Sequence, residues 1–112
     1  MKKVEAIIRP ERVHAVTAAL EEKGFLGLTI TEVKGRGRQK GIKLQWRAGE
    51  YQVDILPKVK VEVVVKASKA DEVIDTIVEA AATGKVGDGM IFLCPVEDLV
   101  RVRTRERGKE AL

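Results

Sequence analysis

Residues 58–66 alternate valine with mostly polar side chains, and this pattern constrains the fold more than any other feature of the chain. One face carries Val59, Val61, Val63 and Val65, and the other carries Lys58, Lys60, Glu62, Val64 and Lys66. A period of two residues predicts a β-strand with one buried face. Other apolar elements must therefore cover the valines.

Three more strands are predicted from the rest of the chain. Val4, Ala6 and Ile8 alternate with Lys3, Glu5 and Ile7 in a first strand. Residues 28–33 are rich in Thr, Ile and Val and predict a second strand. Residues 90–96, MIFLCPV, predict a last strand that is buried.

Two helices lie between these strands. Val13, Val16 and Leu20 recur at helical spacing, and Gly24 is expected to close that helix. A second apolar stripe, consisting of Val73, Ile74, Ile77, Val78 and Ala81, is expected to end at Gly84. Ser68 followed by Asp71 predicts a capping box at the start of the second helix.

The resulting order, β-α-β-β-α-β, is typical of the ferredoxin-like α+β sandwich. Each helix has a single apolar stripe, so both helices should cover one face of the sheet. The other face should carry Ile7, Thr29, Thr31, Glu62 and Val64. This mixed surface predicts contact with a second copy of the chain or with a ligand.

Composition places the chain among single-domain globular proteins. It has 112 residues, with 45% hydrophobic and 34% charged residues, and it contains no apolar run of membrane-spanning length. The start, MKKVEAIIRPER, becomes charged too soon for a secretory signal, so we expect a cytoplasmic protein. Cys94 is the single cysteine and is expected to be a small buried residue.

The first of three candidate anion sites is the long loop predicted at about 36–56, between the second and third strands. Its beginning interleaves Gly35, Gly37 and Gly41 with Lys34, Arg36, Arg38 and Lys40. Glycine amides beside cations suit phosphate or carboxylate. A solvated basic loop without a ligand is the alternative.

The other two candidate sites lie later in the chain. Residues 83–90, TGKVGDGM, hold three glycines that predict a tight turn with exposed amides, although turn formation alone also explains them. In the basic tail, about 101–112, an extended segment would align Arg101, Arg103, Arg105 and Arg107 in one row. A solvated, frayed terminus is the alternative there. None of these segments has the P-loop pattern.

Together these segments resemble the PII nitrogen-regulatory signal proteins. The resemblance covers nearly the whole chain, and its most specific stretches are GLTITEVKGRGRQKG at 27–41 and ATGKVGDGMIF at 82–92. It implies a single domain over residues 1–112 and a homotrimer with ATP or ADP between subunits. The implied nucleotide contacts are Ile7, Thr29, Gly37, Arg38, Gln39, Glu62, Val64, Gly87, Asp88, Gly89, Met90, Arg101, Val102 and Arg103.

The resemblance also implies a second effector and a modification site. 2-Oxoglutarate would bind beside Mg²⁺ on the ATP phosphates, held by Gly37, Gln39, Lys40, Gly41 and Lys58, with Gln39 as a metal ligand. Tyr51 matches the tyrosine that many bacterial members carry as an acceptor of a uridylyl group. Met90 stands where the family usually has lysine.

The implied function is a regulator rather than an enzyme. Effectors would shift the conformation of the loop, which controls an ammonium transporter and enzymes of glutamine or arginine metabolism. Contact with a membrane would be indirect, through the transporter. A catalytic base must be oriented by a partner, and the lone His14 has none nearby in sequence. We therefore expect no enzymatic activity beyond slow ATP hydrolysis.

A ferredoxin-like RNA-binding domain is the alternative function, since it would explain the basic runs. Such sheets present aromatic side chains for base stacking. The two best-defined strands, 3–9 and 58–66, carry none. We therefore expect no nucleic-acid partner. An RNA complex whose affinity does not depend on ATP would favour the alternative.

Overall fold

A computed structural model of the chain describes residues 1–37, 42–46, 49–53 and 55–112, with only the backbone described for 42–46 and 49–53. In chain order the elements are β1 (Lys2–Ile8), α1 (Val13–Glu22), β2 (Thr29–Gly35), β3 (Ile42–Trp46), β4 (Gly49–Val53), β5 (Leu56–Val65), α2 (Ala70–Ala81) and β6 (Gly89–Pro95). The main sheet is antiparallel in the order β2-β5-β1-β6. This is the predicted ferredoxin-like α+β arrangement.

The valine face of β5 forms the centre of the core. Val61 lies opposite Ala6 of β1, and both are fully buried beneath the two helices. Val16, Leu20, Val73 and Ile77 are the helical residues with no exposed surface. Burial of one such side chain contributes about 1.5–3 kcal/mol. The predicted division into a covered face and an open face is therefore confirmed.

Both helices begin with a 3-10 turn. Residues Pro10–Arg12 precede α1, and Ala67–Lys69 precede α2. Ser68 lies within the second turn, and α2 has no side-chain cap, so the predicted capping box is wrong. The proline ring fixes φ before α1, whereas Ala67 continues directly from the extended Lys66.

The helix ends differ from each other. Gly24 follows α1 with φ +89° and donates its amide to Glu21, which confirms the predicted glycine cap. The second helix ends at Ala81, and the next residue is already extended. The prediction that Gly84 ends α2 is wrong, because its amide donates to the Asp88 carboxylate at 2.9 Å instead.

The sheet face opposite the helices has a charged centre. Lys3 contacts Glu62 at 3.3 Å, and Lys60 contacts Glu5 at 3.4 Å and Glu62 at 3.6 Å. By strand register, Ile7, Thr29, Thr31 and Val64 share this face, as predicted. Among the described residues, no helix covers it.

The last strand is an edge strand, and its prediction as buried is wrong for the single chain. Met90, Phe92 and Leu93 are 63%, 45% and 48% exposed. Cys94 is half-buried rather than buried, because it faces the open side of the sheet opposite Lys3. An apolar edge of this kind is expected to be covered by another chain.

The arginine-rich tail is folded back on itself. Val100 pairs with Arg107, and Arg105 adopts a left-handed backbone with φ +64°. The predicted extended row of guanidinium groups is therefore wrong. The reversal is stabilised by Arg107, which donates from Nε and Nη2 to Asp98 Oδ2 at 3.0 and 2.7 Å and holds the pKa of that carboxyl below its usual range.

Strands β3 and β4 lie within the predicted long loop and form a two-stranded antiparallel hairpin. Its register pairs Ile42 with Val53 and Trp46 with Gly49. The segment was predicted as a loop, and the hairpin within it was not predicted. Among the described residues, no helix has the length and apolar character needed to cross a lipid bilayer.

Candidate functional site

A cleft of about 410 Å³ lies on the open side of the sheet, where the start of the long loop meets the turn before β6. Its lining consists of Ile7, Gly35, Arg36, Gly37, Lys58, Val86, Gly87, Gly89, Met90 and Phe92. The first two candidate anion segments thus contribute to one cavity, through lining residues such as Gly37 and Val86 that are 49 positions apart in sequence. Antiparallel pairing of β2 with β5 and of β1 with β6 brings them together.

The glycine-rich turn, residues 83–89, is organised around the carboxylate of Asp88. This group accepts hydrogen bonds from the Thr83 amide at 2.8 Å, from the Gly84 amide at 2.9 Å and from the Thr83 hydroxyl. Arg9 adds a charged donor at 3.0 Å. The donors, led by the Thr83 hydroxyl, hold the pKa of Asp88 far below its usual value. The Asp88 side chain therefore shapes the turn.

Two glycines of this turn are required by its geometry. Gly87 and Gly89 have φ values of +103° and +115°, which side chains with a Cβ rarely adopt. A Cβ on Gly89 would lie 1.8 Å from the carbonyl oxygen of Ile7. The turn backbone can approach β1, and with it the floor of the cleft, only because Gly89 has no side chain.

Lys58 spans the cleft between the loop base and the turn. Its Nζ donates to the carbonyl oxygen of Gly87 at 2.8 Å. Burial lowers the pKa of the Lys58 ammonium, and the nearby Arg9 guanidinium lowers it further. The ammonium that was predicted to bind an anion thus already donates to an internal acceptor.

Apolar side chains also line the cleft. They belong to Ile7, Val86, Met90 and Phe92, and Met90 is 63% exposed. Arg36 is exposed at the mouth, beside Gly35 and Gly37. Cations and backbone together with apolar surface suit an amphipathic ligand that carries an anionic group.

Other residues implied by the resemblance lie away from this cleft. Thr29, Glu62 and Val64 continue along the open face, where Glu62 is paired with lysines. Arg101 and Arg103 are exposed in the folded tail beside Val102, which is 96% exposed. None of these six residues is among those that line the cleft.

Several predicted contacts cannot be placed. Arg38, Gln39, Lys40 and Gly41 lie outside the described residues. Tyr51 belongs to β4, but its side chain is likewise outside the description. Among the described residues, no three His, Cys, Asp or Glu side chains lie close enough together to hold a metal ion. The Mg²⁺ prediction depends on Gln39 and stays a prediction.

Arg9 was missed in the sequence. It lies at the end of β1, donates to Asp88 from Nε at 3.0 Å, and donates to the Val86 carbonyl from Nη2 at 3.0 Å. Those partners are 79 and 77 positions away, so no local pattern indicates the contact. The available signal was the position of an arginine at the end of the first predicted strand.

Comparisons with known proteins agree over nearly the whole chain. The family model described as Nitrogen regulatory protein P-II matches residues 1–106. Nitrogen regulatory protein P-II of Azospirillum brasilense is 53% identical over 100% of both chains. Nitrogen regulatory protein P-II 2 of Methanothermobacter thermautotrophicus is 51% identical, over 100% of this chain and 97% of that protein.

A solved structure is similar as well. The crystal structure of Arabidopsis thaliana PII bound to citrate has 44% sequence identity and a TM-score of 0.81. The match covers 99% of this chain and 91% of that one. The likeness therefore includes the arrangement of the elements as well as the sequence.

Proposed function

Because the chain belongs to the P-II family of nitrogen regulatory proteins, we propose that it binds ATP or ADP in the cleft between its loop base and its glycine-rich turn. The observation that carries this proposal is the convergence of Gly37, Lys58 and Gly87 on one cavity. The protein then acts as a regulator of other proteins and not as an enzyme. The whole chain, residues 1–112, forms its single domain.

The cleft fits the parts of a nucleotide. Backbone around Gly37, Gly87 and Gly89 would lie beside the phosphates, where amides can donate without a side chain intervening. Lys58 and Arg36 supply positive charge. Val64, Thr29 and Glu62, farther along the open face, would contact the base and ribose, and Ile7 would pack beneath them.

We propose a homotrimer, with each site completed by a neighbouring copy. The open face has half-buried ion pairs and an exposed apolar edge strand, which together suit a subunit interface; in a three-fold ring that interface joins different patches of neighbouring copies. Arg101, Val102 and Arg103 are exposed and do not line their own chain's cleft. A neighbouring copy would supply these residues to the bound phosphates.

The second effector is 2-oxoglutarate, bound with Mg²⁺ on ATP. Lys58 would pair with a carboxylate, and Gly37 to Gly41 would donate amides, with Gln39 as a metal ligand. The related Arabidopsis PII was crystallised with citrate, also a carboxylate compound, which supports an anionic effector here. A bound Mg²⁺ would accept oxygen ligands from both the effector and the phosphates.

The loop transmits the signal. Its hairpin, β3 and β4, is the proposed contact with an ammonium transporter and with enzymes of glutamine or arginine metabolism in the cytoplasm. Uridylylation of Tyr51 in β4 would add bulk and negative charge to that surface. Coupling must be reciprocal, so a partner that prefers the ADP form must tighten ADP binding.

Calorimetry and light scattering test the proposal together. ATP with Mg²⁺ is titrated first, and 2-oxoglutarate is then titrated with and without the nucleotide, at a known oligomeric state. We expect a trimer that binds one nucleotide per chain and binds 2-oxoglutarate only after Mg-ATP. A monomer, or a trimer that binds RNA but neither nucleotide, would refute it.

A further inference from the structure

We infer that Arg9 is a positioning residue for the anion cleft: it fixes the glycine-rich turn against the end of β1 so that Gly87 and Lys58 face the ligand. The ligand in this inference is that of the proposed nucleotide site, whereas the position of the turn depends only on the contacts of Arg9. Arg9 does not line the cleft itself.

The guanidinium makes two separate contacts with the turn. Nε donates to Asp88 Oδ1 at 3.0 Å, and Nη2 donates to the carbonyl oxygen of Val86 at 3.0 Å. The side chains of Arg9 and Asp88 are 18% and 25% exposed, so this pair is more shielded than an ordinary surface pair. A planar fork can hold two acceptors at fixed angles, whereas an ammonium acts as a single point charge.

Without Arg9, the near side of the turn would have fewer connections to the sheet. The far side is anchored, because Gly89 pairs with Ile8 in the sheet. The Asp88 carboxylate bonds Thr83 and Gly84, but both belong to the turn itself. Of the side-chain bonds described, those from Arg9 and the bond from Lys58 to Gly87 connect residues 83–88 to other elements.

Arg9 also acts on Lys58 through charge. The two cations bond to neighbouring acceptors, Val86 and Gly87. Arg9 lowers the pKa of Lys58 after the larger effect of burial, whereas Glu11 and Asp88 raise it. Loss of the guanidinium would therefore raise the pKa of Lys58, and a lysine at position 9 would preserve most of that effect.

The test uses R9Q and R9K with R12Q as the matched control. Arg12 lies in the adjacent 3-10 turn, and no bond from it to residues 83–89 is among those described. Three readouts are compared in the full-length protein. They are ATP affinity by calorimetry, hydrogen exchange of the Thr83 and Gly84 amides, and the Lys58 pKa from NMR of its side chain.

We expect R9Q to weaken ATP binding by about tenfold, since bonds from a charged group are the stronger class. Its Thr83 and Gly84 amides should exchange faster, and its Lys58 pKa should rise. R9K should keep the Lys58 pKa near that of the unchanged protein, but its Thr83 and Gly84 amides should exchange as fast as those of R9Q. R12Q should match the unchanged protein in all three.

The outcomes separate this inference from the proposed function. If the unchanged protein binds no nucleotide, the proposed function fails, while amide exchange and the Lys58 pKa still test Arg9. If R9Q binds ATP as tightly as R12Q and its turn amides stay protected, the positioning role is refuted. Should R9Q fail to fold, slow amide exchange in R9K would also refute it.

Discussion

Replacing Gly89 by alanine tests the close approach of the turn to β1. The new Cβ would lie 1.8 Å from the Ile7 carbonyl oxygen and 2.9 Å from its carbon, and these are backbone atoms that cannot rotate away. The residue also has φ +115°, in a region that alanine rarely adopts. Either the β1-β6 pairing must open or the turn must rotate.

The expected cost has two parts. The backbone conformation contributes about 1–3 kcal/mol, and the added methyl in a closely packed position contributes about 1–3 kcal/mol more. The total loss is about 2–6 kcal/mol of unfolding free energy. A typical protein has an unfolding free energy of about 5–15 kcal/mol, so this loss is a large fraction of it. Nucleotide binding should weaken as well, because the displaced turn carries Gly87.

Gly24→Ala is the matched control. Gly24 has φ +89°, and nothing lies within 4 Å of its added Cβ, so only the backbone cost applies. Both variants are unfolded with denaturant at one protein concentration, since assembly makes stability concentration-dependent. If Gly89→Ala loses no more free energy of unfolding than Gly24→Ala, the inferred steric limit is wrong.

Three further predictions follow from single residues. Met90→Lys should tighten ATP binding up to about fivefold, since an exposed ion pair contributes about 0.2–1 kcal/mol; unchanged or weaker affinity by calorimetry would count against a phosphate near position 90. Asp88 has a pKa that folding lowers below 3.8, so its stabilisation is complete above that pH and is lost as pH falls through the folded value. The stability gap between the unchanged protein and Asp88→Asn should therefore narrow below pH 3.8 in acid titrations, and a gap independent of pH would contradict this. Ile77→Ala should cost about 2–5 kcal/mol of unfolding free energy, while its helical neighbour Val78→Ala, 48% exposed, should cost about 0.5 kcal/mol or less; equal losses would refute the assigned core face.

The fold was largely predictable because burial leaves a period in the sequence. The valines of β5 and the stripe around Ile77 are set by which face is covered, and both appear as regular spacing. The same logic failed for β6, where apolar residues on both faces predicted burial that the single chain does not provide. The pattern there fits the proposed subunit interface, which a single chain does not contain.

The hairpin in the long loop was missed although a signal was present. Ile42, Leu44 and Trp46 alternate with polar residues, which favours a strand, but the neighbouring glycines and cations favoured a loop. The arginines of the tail were misplaced for a different reason. One left-handed residue, Arg105, reverses the chain, and a single backbone angle has no sequence period.

The site was predictable only where chemistry is local. Glycine-rich segments identified the turn around Gly87 and the loop base around Gly37, and the resemblance linked them. The long-range contacts of Arg9 and Lys58 depend on strand register, which the sequence alone does not specify. The residues that organise the turn were therefore harder to find than those that line the cleft.

The bond from Lys58 to the Gly87 carbonyl uses one of the three N–H groups of the ammonium. Two donors are left for a carboxylate of the proposed effector, so an acid could bind without displacing the backbone oxygen. The acid and the glycine-rich turn would then share one cation, and any change in the position of Nζ on acid binding would act directly on the turn.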